Sequence, residues 1–250
     1  MRFVAGLVLS LAVAALSPAQ TMLDAGSLGH FASGGGWSTT FFLFNTGTAA
    51  AEAQLNFYQD DGSEAVIPLQ LPQLPGSSSS ASQFNYTLQA GTVLAVETTS
   101  SDSKGTTGWA HLQASSASVT GYLIFRLESA VQEGLVTAET RSGKSYVIAF
   151  DNSAGHFTSF ALANLTSQPV NVTATARDGL TGAVLGQSQI IQIPAMGHYA
   201  DGLINVLAST GSASGTVEFT TPSAGQITVL GLRFSTPSFA FTSTPPILKQ

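Results

Sequence analysis

Cysteine is absent from the 250 residues, and charge is scarce: eight Lys+Arg and fourteen Asp+Glu, 9% of the chain, where soluble domains average roughly 25%. The first absence excludes a disulfide framework, Cys-ligated zinc or iron–sulfur sites and a thiol nucleophile. The second leaves a formal net charge of −6 and no basic surface to neutralise phosphates, so nucleic acid is not an expected partner. What is present is apolar and turn-rich. Hydrophobic residues make up 44%, with 25 Gly and 10 Pro, enough to bury a core and too much for a disordered chain. The length suits one large domain or two small ones.

Met1-Arg2 precedes the uncharged apolar run FVAGLVLSLAVAAL, followed by Ser17-Pro18-Ala19-Gln20. Small residues at Ser17 and Ala19 fit the −3 and −1 positions of a signal-peptidase site, which predicts a signal peptide over 1–19 and cleavage before Gln20. The run is short for a membrane span, and no basic stop-transfer cluster follows it. The expectation is an exported chain with no membrane span after cleavage, placed in the periplasm, outside the cell or at the cell surface. Three N-x-[ST] triplets, at Asn85, Asn164 and Asn171, are of a kind that arises by chance in a Thr-rich chain.

The chain contains a similar unit twice. TTFFLFN from Thr39 aligns with TSFALAN from Thr158, with identities at Thr39/Thr158, Phe41/Phe160, Leu43/Leu162 and Asn45/Asn164. A turn follows each, read as two residues longer in the first copy so that Asp61-Gly62 falls on Asp178-Gly179. GWAHLQAS from Gly108 then aligns with GTVEFTTP from Gly215, and SVTGYLIFRL from Ser118 with QITVLGLRFS from Gln226. Apolar residues recur at every second position, punctuated by Asp-Gly and Pro-Gly turns, which is the pattern of half-buried strands. The only helix-like stretch after the signal peptide is a short one, Ser129–Gly134. Several strands in each of two copies predict an all-β protein of two tandem immunoglobulin-like β-sandwich domains, over 20–140 and 145–250, joined by a short linker at 141–144.

Leu162-Ala163-Asn164 with Pro169, Asp178-Gly179, Gly231-Leu232-Arg233-Phe234 and Thr242…Pro245 together resemble repeats of uncharacterised exported bacterial proteins with tandem immunoglobulin-like sandwiches. The likeness covers most of the second unit and extends to the first, where Leu123-Ile124-Phe125 replaces Gly231-Leu232-Arg233. It implies fold and export, and carries no activity.

Catalytic and metal motifs are missing. His30, His111, His156 and His198 show no i, i+2 or i, i+4 ligand pair and no HExxH. No G-x-S-x-G elbow occurs, since Gly211-Ser212-Ala213-Ser214-Gly215 carries Ala at the nucleophile position. Gly143-Lys144-Ser145 lacks the earlier glycine of a phosphate-binding loop. Asp60, Asp61 and Asp151 are weak calcium candidates, short of the six or more oxygens calcium takes. No cofactor is expected. Trp109, His111 and Gln113 form a candidate ligand-binding strip. If Ala110 and Leu112 face the core, these three point outward together, where Trp109 either stacks on a sugar or packs under a loop or the second unit.

Two functions without catalysis stay open, beside a third, a hydrolase with a dispersed site, which predicts a pocket where a His lies near a Ser or carboxylate. One is a non-catalytic exported protein, a structural or adhesive module whose partner is another protein or a surface polysaccharide. The other is a carbohydrate-binding module using the aromatic strip. The strand patterns around Phe41 and Val119 carry no charge, and uncharged strands lying at a sheet edge would make self-association possible.

Overall fold

The computed structural model describes residues 21–238 and 240–249, so the expected signal peptide lies outside the described residues. The first copy holds β1 (Leu23–Ser33), β2 (Trp37–Asn45), β3 (Ala51–Gln59), β4 (Ile67–Gln70), β5 (Ser78–Ala81), β6 (Gln83–Leu88), β7 (Val93–Thr98), β8 (Thr106–Ala114), β9 (Val119–Leu127) and β10 (Gln132–Thr137). The second holds β11 (Ser145–Asp151), β12 (His156–Asn164), β13 (Val170–Asp178), β14 (Gln189–Ile193), β15 (His198–Gly202), β16 (Ser214–Thr220), β17 (Ile227–Ser235), β18 (Ala240–Thr244) and β19 (Ile247–Lys249). Among the described residues two short helical segments interrupt the strands, α1 (Leu203–Val206) and a 3-10 turn at Ala208–Thr210. The stretch expected to be helical, Ser129–Gly134, is instead a turn running into β10. Among the described residues no helix is long and apolar enough to cross a membrane.

The strands form four sheets: β1-β8-β3-β6, β10-β9-β2-β7-β4-β5, β14-β13-β16-β11-β19 and β15-β12-β17-β18. All-β content is as expected, but the arrangement is that of a four-bladed β-propeller. This corrects the expectation of two tandem immunoglobulin-like β-sandwiches. The strand order already departs from the immunoglobulin pattern, in which the first strand pairs with the second. Here β11 pairs with β16 and β19, while β12 pairs with β15 and β17. The blades also differ from simple consecutive meanders, because each draws on strands that are not neighbours in sequence.

The cores supply the second departure. Alternate side chains of the first two blades, among them Leu28, Phe31, Phe41, Leu43, Leu55, Phe57, Leu112 and Leu123, enclose one core. Tyr146, Ile148, Phe160, Leu162, Val172, Val217, Phe219 and Ile227 enclose another between the last two blades. The first core does not stop at its own copy: Ala161, Leu230, Leu232 and Phe241 of the fourth blade belong to it. β12 and β17 are therefore buried on both faces over most of their length, and such strands lose their alternation. FALAN and ITVLGL are continuous buried runs for that reason. Small residues permit the approach; a Cβ on Gly29 would sit 3.0 Å from Thr228 Cγ2.

The repeat persists in the pairing. β1-β8-β3-β6 matches β11-β16-β13-β14, and β10-β9-β2-β7 matches β18-β17-β12-β15, so a pair of blades occurs twice. The residues identical between copies have identical duties. The Thr39 hydroxyl donates to Ala32 O (2.7 Å) and that of Thr158 to Asp151 O (3.3 Å), each also accepting the same residue's N–H. Asn45 Nδ2 donates to Ala49 O (2.8 Å) and Leu88 O (3.1 Å), and Asn164 Nδ2 to Gln168 O and Pro194 O (both 2.7 Å). Both Asn side chains are buried with their amides satisfied, which is what makes a buried amide tolerable. Asn164, one of the three N-x-[ST] triplets, is thus enclosed.

One alignment detail is corrected. β3 and β13 begin at the same distance after Asn45 and Asn164, so the first turn is not longer. Gly108 lies opposite Gln59 and Gly215 opposite Asp178, which matches Asp178-Gly179 to Gln59-Asp60. Both glycines are obligatory: a Cβ there would lie 1.9 Å from Tyr58 O and Arg177 O respectively. The strands around Phe41 and Val119 are also interior, and the second of them carries a charge, Arg126. β2 is flanked by β9 and β7, and β9 by β10 and β2, so neither presents the free edge that pairing with a second copy would need.

Candidate functional site

β8 alternates as the sequence required: Ala110 and Leu112 are in the core, and Trp109, His111 and Gln113 lie on the opposite face of the first blade. The strip is not an open aromatic platform, however. Trp109 is 1% exposed, because the turn before β15 covers it and its indole Nε1 donates to Met196 O (2.7 Å). Tyr58 stacks on it with ring centroids 4.9 Å apart and planes 22° from parallel. His111 and Gln113 remain half-buried, and His111 Nε2 meets Asp24 Oδ1 at 3.2 Å.

Around them the face is a lattice of carboxamides. The registers of β6, β3 and β8 set Asn85, Gln54 and Gln113 in one row and Gln83, Asn56 and His111 in the next. Gln54 Nε2 donates to Asn85 Oδ1 (2.8 Å), Gln83 Nε2 to Asn56 Oδ1 (2.8 Å) and Asn56 Nδ2 to Gln113 Oε1 (3.1 Å). Sequence reasoning reached only the β8 column of this lattice. The other columns come from segments whose registers are set by long-range pairing, and the signal left in the sequence is the alternation of Gln and Asn in Gln54-Leu55-Asn56 and Gln83-Phe84-Asn85.

A second cluster sits where the two pairs of blades meet. His198 Nδ1 lies 2.8 Å from Asp60 Oδ1, and its Nε2 lies 3.1 Å from His30 Nδ1. With both imidazoles neutral, His30 Nδ1–H donates to His198 Nε2, and His198 Nδ1–H donates to the carboxylate. The turns bearing these residues are in tight contact: His198 N–H donates to Asp60 O (3.2 Å), and a Cβ on Gly62 would meet Ala195 O at 1.9 Å. His30 ends the chain of bonds, its ring set edge-on to Phe125 at 5.3 Å. Burial, with His198 alongside, holds its pKa down at about 3. The sequence offered no local signal for this set, since His30 and His198 are 168 residues apart.

The calcium candidates are otherwise occupied. Asp60 accepts from His198, Asp61 from Ser63 N–H (2.9 Å) and its hydroxyl (2.6 Å), and Asp151 from Ser153 and from Arg233 (3.1 Å). These hydrogen bonds, led in each case by the serine hydroxyl, hold the carboxyls of Asp61 and Asp151 below their ordinary range. Among the described residues no group of three or more His, Asp or Glu could hold a metal ion. His156 Nδ1 approaches Ser235 Oγ at 3.1 Å, with no carboxylate bonded to that imidazole among the described residues.

In a hydrolytic triad the carboxylate is buried, and the imidazole turns its far nitrogen to a nucleophile at the cleft. Here the order is reversed: the Asp60 side chain is 63% exposed, and the bonds run inward to a second imidazole against a phenylalanine. Among the described residues no hydroxyl is bonded to either ring. The arrangement can hold two surfaces together and store a proton-sensitive contact. Compared with models of known protein families and with curated proteins, the chain matches none.

Proposed function

We propose that the protein is an exported, non-catalytic module with a structural or adhesive role outside the cytoplasm. The observation that carries this reading is the Asp60–His198–His30 chain, the densest titratable cluster described above. It is spent on joining the two blade pairs and has the polarity opposite to that of a catalytic triad. A second support is the carboxamide face of the first blade, whose Gln and Asn side chains offer hydrogen-bond donors and acceptors to a polar partner. The signal peptide expected over 1–19 supports export. The test is turnover by the purified protein of generic ester, peptide and glycoside substrates, with an active-site-directed fluorophosphonate as a probe of nucleophilic serine. No turnover and no labelling are expected. Activity that disappears in His156→Ala or His30→Gln would overturn the reading. A carbohydrate-binding role is the second reading, favoured by the lattice itself.

A further inference from the structure

The second blade, β10-β9-β2-β7-β4-β5, has a core face and an outer face. Phe41, Leu43, Leu123 and Phe125 point into the core. The alternate residues Phe42, Phe44, Tyr122 and Ile124 stand on the outer face, half-buried. The Tyr122 ring has Phe42 and Phe44 beside it, with centroids 5.1 and 5.5 Å away, and Leu135 (45% exposed) and Val93 (42% exposed) flank the group. The strands packed on β2 and β9 from outside this sheet, β1 and β8, approach from the core side. We infer that this outer face is the contact surface between two copies of the chain, packed face to face about a two-fold axis. The inference goes beyond the structural or adhesive reading and stands without it.

The repeat marks this face as a docking surface. The registers make Phe42, Phe44, Tyr122 and Ile124 the equivalents of Ala161, Ala163, Leu230 and Leu232. Those four are buried, and Ala161, Leu230 and Leu232 belong to the core shared with the first copy. Side-chain size then selects the occupant. Ala161 and Ala163 let the edge strand β1 lie close on the fourth blade, with Gly29 against Thr228. Phe42 and Phe44 would hold such an edge away, but rings of their size fill the ~10 Å between two stacked sheets, and the same face of a second copy supplies the other sheet. Head-to-tail docking lacks its apolar half. The first copy meets the fourth blade through Phe125 and Trp37, whose rings lie 5.5 and 5.8 Å from Phe241. The equivalent positions of the second copy hold Arg233, bonded to Asp151 (3.1 Å), and His156, beside Ser235 (3.1 Å). Charge on the outer face of the second blade keeps to its margins, with Arg126, Glu128 and Glu133 at one corner and Glu97 beside Gln70. An uncharged aromatic centre inside a polar rim is the anatomy of a protein interface. Six strands at ~4.8 Å spacing, with about three outward residues on each, give roughly 600 Å² per copy. Two such faces reach the low end of specific interfaces, about 1,200 Å² in total, so the dimer is weak and reversible.

Sedimentation velocity of the exported chain from about 1 μM to about 1 mM, the range of weak association, tests the inference. The protein should pass reversibly from monomer to dimer as concentration rises. Thr120→Arg and Leu135→Arg place charge on the exposed face without touching the core, and each should leave the chain monomeric throughout. Phe42→Thr should weaken dimerisation about 30-fold, equivalent to ~2 kcal/mol. Ile190→Thr, on β14 of the third blade and 69% exposed, should change nothing. Because the chain has no cysteine, a bismaleimide long enough to span the face reports the geometry. Thr120→Cys should cross-link to itself, and a mixture of Thr120→Cys with Ile247→Cys, on β19 of the second copy, should give no link between the two variants. A monomer at every concentration, a dimer unchanged in all three face variants, or cross-links formed only between Thr120→Cys and Ile247→Cys would overturn the inference.

Discussion

Acidification should weaken the join between the blade pairs through one imidazole. His30 is buried with its pKa at about 3, against 6.5 for an ordinary histidine, the first cause being desolvation and the second the neighbouring His198. The unfolded chain therefore takes up a proton on His30 near pH 6.5 that the folded chain refuses until about pH 3. Stability from this group is fully present above 6.5 and is lost progressively as pH falls toward 3. At 1.36 kcal/mol per unit, the loss reaches about 2 kcal/mol at pH 5 and about 5 kcal/mol below pH 3. The groups facing the ring are His198 and, through it, Asp60. The lowered carboxyls of Asp61, Asp151, Asp178 and Asp201 lose their own contributions only below their ordinary range near pH 4. The window from pH 7 to 5 thus separates His30 from these carboxyls. Urea unfolding at pH 7.5, 6 and 5 should show the decline. His30→Gln retains an N–H for His198 without a titrating ring, and should lower stability at pH 7.5 while removing about 2 kcal/mol of pH dependence. An NMR titration should show the His30 ring resonances unmoved between pH 8 and 5. A midpoint near 6.5 for that ring, or the same pH dependence in His30→Gln, would refute the reasoning.

Three further outcomes can be measured separately. Gly108→Ala and Gly215→Ala place a methyl 1.9 Å from a carbonyl oxygen of the adjoining strand; each should lower the melting temperature sharply, whereas Gly76→Ala, with no atom within 4 Å but a φ of +89°, should cost only about 1 kcal/mol. Asn45→Ala and Asn164→Ala remove equivalent buried amides and should each cost about 1–3 kcal/mol, read by denaturant midpoint, and a near-zero effect at either would show that the turn does not depend on its staple. N-terminal sequencing of the protein from an exporting host should begin at Gln20, and recovery of an intact Met1 terminus in the exported fraction would contradict cleavage.

Side-chain periodicity settled what lies within a strand. β8 shows this best: Ala110 and Leu112 inward, Trp109, His111 and Gln113 outward, all legible because successive residues of a strand face opposite sides. The repeat was equally legible, and Thr39/Thr158 and Asn45/Asn164 are identical because each copy needs the same hydroxyl and the same amide in the same turn. Where periodicity fails, the failure is itself informative. FALAN and ITVLGL lack alternation, and that absence is the mark of strands buried on both faces, here where the fourth blade meets the first core.

What the sequence determined alone is the all-β character, the doubled unit and the inward or outward sense of residues in the alternating strands such as β8, since these follow from local backbone geometry and composition. Tertiary structure decided which strands are neighbours, that four blades form in place of two sandwiches, that Trp109 is covered by Met196, and that His30, His198 and Asp60 meet. Those outcomes depend on contacts between residues far apart in the chain, where the geometry is fixed by the packing of whole sheets and no local pattern encodes it.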